Sequence, residues 1–153
     1  LQPKKIIMTA AFVFQLVNAL VLPAWLSLVF FPKKKWRQLV VYTIALLMAL
    51  VYAVYVVSGL GQFNPEAFST LAGIKALFAT DQAVLAGWIH YLVFDLLVGN
   101  WLLQQSQKHG ISHAFMLPCL LLCFMFGPVG FIAYTLVRLA YKITAKPSTE
   151  AQQ

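Results

Sequence analysis

The sequence predicts an all-α integral membrane protein with four transmembrane helices and a short interfacial helix between helices 2 and 3. Three observations predict it. Hydrophobic residues make up 61% of the 153 residues and charged residues only 10%, against about 45–50% and about 25% in soluble domains. Four apolar segments, at about 6–31, 39–60, 83–103 and 114–137, each reach the roughly 20 residues that a hydrocarbon core of about 30 Å requires. The charges flank these segments rather than entering them, Asp95 excepted. A single membrane domain over residues 1–153 follows, with a tail at 143–153 whose "AKPSTEAQQ" reads as disordered.

The first segment follows Lys4 and Lys5 but is too long for the roughly 7–15 apolar residues of a signal peptide, so it reads as a retained span. Helical spacing puts Gln15, Asn18, Leu22 and Trp25 on one side. Amides in lipid gain roughly 1 kcal/mol from inter-helix hydrogen bonds, so this side should face inward. Pro23 removes a backbone donor and predicts a kink. The second segment starts after the dense basic cluster "PKKKWR".

From Gly61 to Gln82 the chain is too polar and short to span. "NPEAF" reads as a helix start, with Asn64 as cap, Pro65 at the first helical position and Glu66 near the positive dipole end. Phe68, Leu71, Ile74, Leu77 and Phe78 then recur at helical spacing, as in a helix lying in the interface. Asp81 offers a cap for the third span.

That third span, in "GWIHYLVFDLLVGN", carries the most polar groups. Trp88, Tyr91, Asp95 and Gly99 form one stripe; His90, Phe94, Leu97 and Trp101 form another. His90 and Asp95, about 140° apart, cannot ligate one metal from a single face. An ionised carboxylate at a membrane-helix centre costs about 2.5–3.5 kcal/mol, so Asp95 should be protonated or paired with a donor such as Tyr91, Asn18 or Gln15. Both His90 and Asp95 are expected to point into the bundle. A hydrogen-bond clamp and a proton-handling or ligand-gripping site are both open readings.

In the fourth segment Cys119, Cys123 and Gly127 make a small-residue seam that admits a close helix. The two cysteines are too far apart for a disulfide within a regular helix. Pro118 and Pro128 interrupt the hydrogen bonding, and Pro128 between Gly127 and Gly130 predicts a bend facing the bundle and a cavity wall. His109 and His113 have a metal-like spacing, but Gly110 argues for a turn and no acid or thiol is nearby, so no metal and no cofactor are expected.

The net charge of +7 comes from Lys and Arg beside apolar runs, which fits headgroups and orientation signals rather than nucleic acid. Four spans would put both termini on one side, with the basic residues split almost evenly. The density of "KKKWR" favours loops one and three in the cytoplasm.

"GWIHYLVFDLLVGNW" with "GISHAFMLPCLLLCFMFGPVGFIAYTLVR", and also "LVNALVLPAWLSLVFFPKKKW" and "GIKALFATDQAVLAGW", resemble the membrane-protein family of the plant abscisic-acid-deficient-four protein, over nearly the whole chain. The chain looks like its short bacterial members. The resemblance implies a multi-pass protein of a bacterial inner membrane, or alternatively of a plastid membrane, linked to the conversion of violaxanthin to neoxanthin. That epoxide-to-allene isomerisation needs an acid at the epoxide oxygen and a base at the adjacent polyene carbon. For this chain it implies Asp95 as acid, kept neutral by burial, with His90 or Tyr91 moving the other proton. A carotenoid or other long isoprenoid would lie in an intramembrane groove lined by Asn18, Trp25, Trp88, Tyr91 and Phe126. The alternative is a non-enzymatic role as a membrane assembly partner or homo-oligomeric subunit; a channel is a weaker third option.

Overall fold

The computed structural model describes residues 9–59, 61 and 64–144; the first residues of span one and the tail from 145 onward lie outside them. The order is α1 (Ala10–Phe30), α2 (Trp36–Gly59), a 3-10 turn (Pro65–Ser69), α3 (Leu71–Leu77), α4 (Asp81–Lys108), α5 (His113–Phe126) and α6 (Pro128–Thr144).

Hydroxyl and amide side chains cap the helix starts, as unsatisfied first-turn N–H groups require. Thr9 accepts from Phe12 N and Asn64 from Glu66 N, the latter with Pro65 at the first position as its sequence implies. The single interfacial helix does not form as one piece: Thr70, with extended backbone, divides it and caps α3 through Gly73 N. Thr80 rather than Asp81 caps α4, by accepting from Ala83 N; Asp81 occupies the first turn, where its charge suits the dipole. α1 runs unbroken through Pro23.

Among the described residues three helices, α1, α2 and α4, are long and apolar enough to cross a membrane. α4 is the hub, packed on α1, α2, α5 and, less closely, α6. Val13, Val17, Val21, Ala24 and Leu28 of α1 form a buried stripe that meets Ile89, Leu92 and Leu96 of α4 and Val41, Ile44 and Met48 of α2 in one core. Large apolar side chains elsewhere stay exposed, as suits a surface solvated by acyl chains.

The fourth apolar segment is not one helix but two. The chain turns back at Gly127, and α5 and α6 form a helical hairpin. Near its open end Ser112 N donates to the Tyr141 hydroxyl at 3.3 Å. The rings of Phe115 and Tyr141 meet at 5.7 Å, and Arg138 Nη2 donates to His109 Nε2 at 3.0 Å. At the tip Gly130 lies so close on Cys123 that a Cβ would run into its backbone. The 14 residues of α5 rise about 21 Å, short of a hydrocarbon core of about 30 Å. The tip sits beside Asp95, near the middle of α4. Glycine is required at the turn because φ there is +35°, a region L side chains rarely adopt, and Pro128 has no N–H with which to continue α5. The expected bend is therefore a reversal.

The hairpin also changes the ends of the molecule. α6 returns to the end occupied by the α1–α2 and α4–α5 loops, so the C-terminal end of α6 lies opposite the N-terminal end of α1. Among the described residues Lys33, Lys34, Lys35, Arg37, Lys108, Arg138 and Lys142 gather at or beside that end, against Lys75 at the other. Among the described residues the basic side chains are therefore unevenly divided between the two ends, seven against one.

Candidate functional site

The polar stripe of α4 faces α1 on one side and the hairpin on the other. Trp88 Nε1 donates to Asn18 Oδ1 at 3.1 Å, and Asn18 Nδ2 donates to the Phe14 carbonyl at 2.7 Å. Asn18 is thus a cross-link between α1 and α4, of the kind worth about 0.6–2 kcal/mol in membranes. Phe14, Trp88 and Tyr91 form an aromatic row, with centroid separations of 5.7 and 5.4 Å.

One turn further, the Tyr91 hydroxyl donates to the Met125 carbonyl at 2.9 Å. That carbonyl belongs to the last turn of α5, where helical acceptors lose their own partners. At the same tip Gly127 N donates to Cys123 O at 2.9 Å, and Gly130 N to Gly127 O at 3.0 Å. Phe124 O loses its helical donor because Pro128 has none. Such breaks survive in a membrane only where protein groups or water take up the freed atoms, and Tyr91 takes up one of them.

Asp95 stands behind Tyr91, with its carboxylate against Gly127, where any Cβ would overlap Oδ1. It therefore lies at the N-terminal end of α6, where a negative charge is favoured by the helix dipole. Its Oδ2 is buried with no hydrogen-bond partner. Cys123 Sγ donates weakly to the Asp95 backbone carbonyl at 3.6 Å. The small-residue seam of α5 thus admits α4 at one edge and α6 at another.

Two clefts flank this arrangement. The larger, about 490 Å³, is lined by Asn18, Leu22, Trp88, Tyr91, Phe124 and Met125 among others. Leu22, Trp88 and Met125 are exposed, so it opens sideways between α1, α4 and α5. The smaller, about 250 Å³, is lined by Asp95, Val98, Gly127, Pro128 and Phe131.

Of the residues singled out from the sequence, Asn18, Trp88 and Tyr91 come together on the larger cleft, and Asp95 adjoins Tyr91 but opens on the smaller one. Four expectations are corrected. His90 does not point into the bundle: it is exposed, stacked on Phe94 at 4.5 Å and beside Tyr52 at 5.6 Å, because its angular offset from Asp95 turns it toward α2. Trp25 lies in the core at 6% exposure, edge-on to Phe124 at 5.3 Å and pressed against Gly99. Phe126 is 59% exposed and outside the cleft, since one residue beyond Met125 on α5 it points about 100° away. Gln15, and with it Leu22 of the same expected inward face, is exposed. Phe124 and Met125 are lining residues that the sequence reading missed; their position depends on where α5 docks, which no local pattern signals.

The two loop histidines are engaged separately. His113 Nε2 donates to the Val29 carbonyl at 2.8 Å. His109 Nδ1 donates to the Gln105 carbonyl at 2.7 Å, leaving Nε2 to accept from Arg138.

The fold and cleft define an all-helical protein in which three helices long and apolar enough to cross a membrane carry a helical hairpin whose tip ends beside a carboxylate. Within that class the chain belongs to the ABA DEFICIENT 4-like family, whose model matches residues 12–134. No curated protein and no solved structure matches it.

Proposed function

We propose that this protein binds one end of a long apolar isoprenoid, of the carotenoid class, in the lateral cleft between α1, α4 and α5. The observation that carries the reading is the cleft itself. Its volume of about 490 Å³ is within the roughly 300–1,000 Å³ of ligand pockets, which are mostly apolar with a few placed polar groups. Here those groups are the Asn18 amide and the Tyr91 hydroxyl, and the side opening lets a polyene enter from the bilayer. Membership of the family, with the carotenoid link its resemblance implies, points to the same ligand class.

If the bound molecule is an epoxide that isomerises, Tyr91 is the acid–base group at the cleft and Asp95, directly behind it, the group able to exchange a proton with it. A proton given to the epoxide oxygen must be balanced by one taken from the adjacent polyene carbon. His90 faces away and is left out of this step.

The test is titration of the purified full chain with an epoxy carotenoid, read by visible absorbance and tryptophan quenching. A saturable shift, abolished by Ala19→Trp filling the cleft, is expected. Absence of binding, or equal binding by the filled variant, would overturn the proposal. Given binding, Tyr91→Phe should keep the ligand and lose any isomerisation; retained turnover would remove Tyr91 from the chemistry.

A further inference from the structure

Arg37, in the first turn of α2, is only 2% exposed. Its Nε and Nη1 are sealed from the surface without a hydrogen-bond partner, leaving Nη2 as the guanidinium nitrogen open to the outside. The described acids lie elsewhere. Glu66 and Asp81 belong to the opposite end of the helices, and Asp95 packs on Gly127. The neighbouring Gln38 is no substitute: its Oε1 already accepts from Asn100 Nδ2 at 3.1 Å and Gln104 Nε2 at 3.5 Å. A buried cation without a counter-charge is costly, and the remaining nitrogen, Nη2, can donate a charge-assisted hydrogen bond to a phosphate oxygen.

The surroundings favour an anion from the membrane. Lys33, Lys34 and Lys35 are exposed in the loop just before α2, so positive charge gathers at the end of the helix that carries Arg37. Exposed Phe31 and Trp36, with rings at 5.2 Å, provide an apolar and amphipathic margin of the kind found at headgroup level. Helical side chains lean toward the N-terminus of their helix, which directs the Arg37 side chain toward this basic loop.

We infer that Arg37, supported by Lys33–Lys35, binds a phosphate group at the basic end of the bundle, supplied by an anionic phospholipid headgroup or by soluble phosphate. The site is separate from the lateral cleft and takes a different chemistry.

The test uses the purified full chain in neutral detergent, with thermal unfolding and quenching of tryptophan fluorescence as readouts. The probes are dioctanoyl phosphatidylglycerol, dioctanoylglycerol and inorganic phosphate. Phosphatidylglycerol should bind and stabilise, whereas dioctanoylglycerol should not. Stabilisation by inorganic phosphate alone would support the site with a soluble source. Arg37→Gln should weaken phosphate binding about tenfold to a hundredfold, the weight of charge-assisted hydrogen bonds, and Arg37→Lys should restore part of it. Should Arg37 variants not fold, the exposed triple change Lys33→Gln, Lys34→Gln and Lys35→Gln provides the comparison, with weaker phosphatidylglycerol binding expected. Equal binding of phosphatidylglycerol and dioctanoylglycerol by the unmodified chain, with no effect of phosphate, overturns the inference. So does unchanged phosphate binding in folded Arg37→Gln, or in the triple variant if no Arg37 variant folds.

Discussion

Gly127→Ala tests the hairpin tip most directly. The added Cβ would overlap Oδ1 of Asp95 and lie 2.9 Å from Cγ and 3.0 Å from Oδ2. It would also place an L side chain at φ +35°. The backbone part costs about 1–2 kcal/mol and overpacking about 1–3 kcal/mol, for a combined loss of roughly 2–5 kcal/mol. Gly110 is the internal control, having φ +66° but open space around its Cβ position, so Gly110→Ala should lose only the backbone part. Removing the obstacle with Asp95→Ala should reduce the cost of Gly127→Ala to about 1–2 kcal/mol. The resulting coupling of about 1–3 kcal/mol is what a double-mutant cycle isolates. Reversible unfolding in mixed micelles, followed by circular dichroism, measures all four proteins and the control. Additive effects, or a Gly127→Ala loss no larger than that of Gly110→Ala, would show that the carboxylate does not abut the turn.

Further outcomes follow from the same geometry. Single cysteines at Lys34 and Lys142 should label from the same side of sealed vesicles and one at Lys75 from the other, with the first two on the cytoplasmic side by the distribution of basic residues; labelling of Lys34 and Lys142 sites from opposite sides would restore a fourth crossing. Gly99→Ala sets a Cβ 2.6 and 2.8 Å from the Trp25 ring, and a loss of about 1–3 kcal/mol with a changed near-ultraviolet dichroism spectrum is expected; an unchanged spectrum and stability would contradict that packing. Asn18→Ala removes the acceptor of the Trp88 indole and should lower stability by about 0.6–2 kcal/mol, whereas Gln15→Ala on the exposed side should leave it unaltered in the same unfolding assay. Tyr91→Phe deprives the Met125 carbonyl of its donor and should cost about 1–3 kcal/mol, a loss that the Tyr91→Phe/Gly127→Ala pair would share only in part if both act at one tip.

Much of the local structure was legible residue by residue. Composition pointed to helices apolar enough for a membrane, and apolar run lengths marked α1, α2 and α4. Asn64 and Pro65 declared a helix start, and Gly127 with Pro128 declared a break. These features depend on a residue's own φ, its hydrogen-bonding groups and its immediate neighbours, so sequence carries them. The polar stripe of α4 was legible for the same reason, since helical angle is periodic along one axis.

What lay beyond the break was not local. A glycine with free φ and a proline without N–H permit either a bend or a reversal, and contacts between the two helices, such as those of Tyr141 with Phe115 and Ser112, select the reversal. With it came the helix N-terminus beside Asp95 and the charge asymmetry between the two ends, whereas the docking of α5 on α4 put Phe124 and Met125 in the cleft wall and left Phe126 outside it. Periodicity tells which residues share a face but not which neighbour that face meets, which is why Trp25 belongs to the core and His90 to the outside. Helix type was determined within each segment; partners and chain direction were determined by packing between segments.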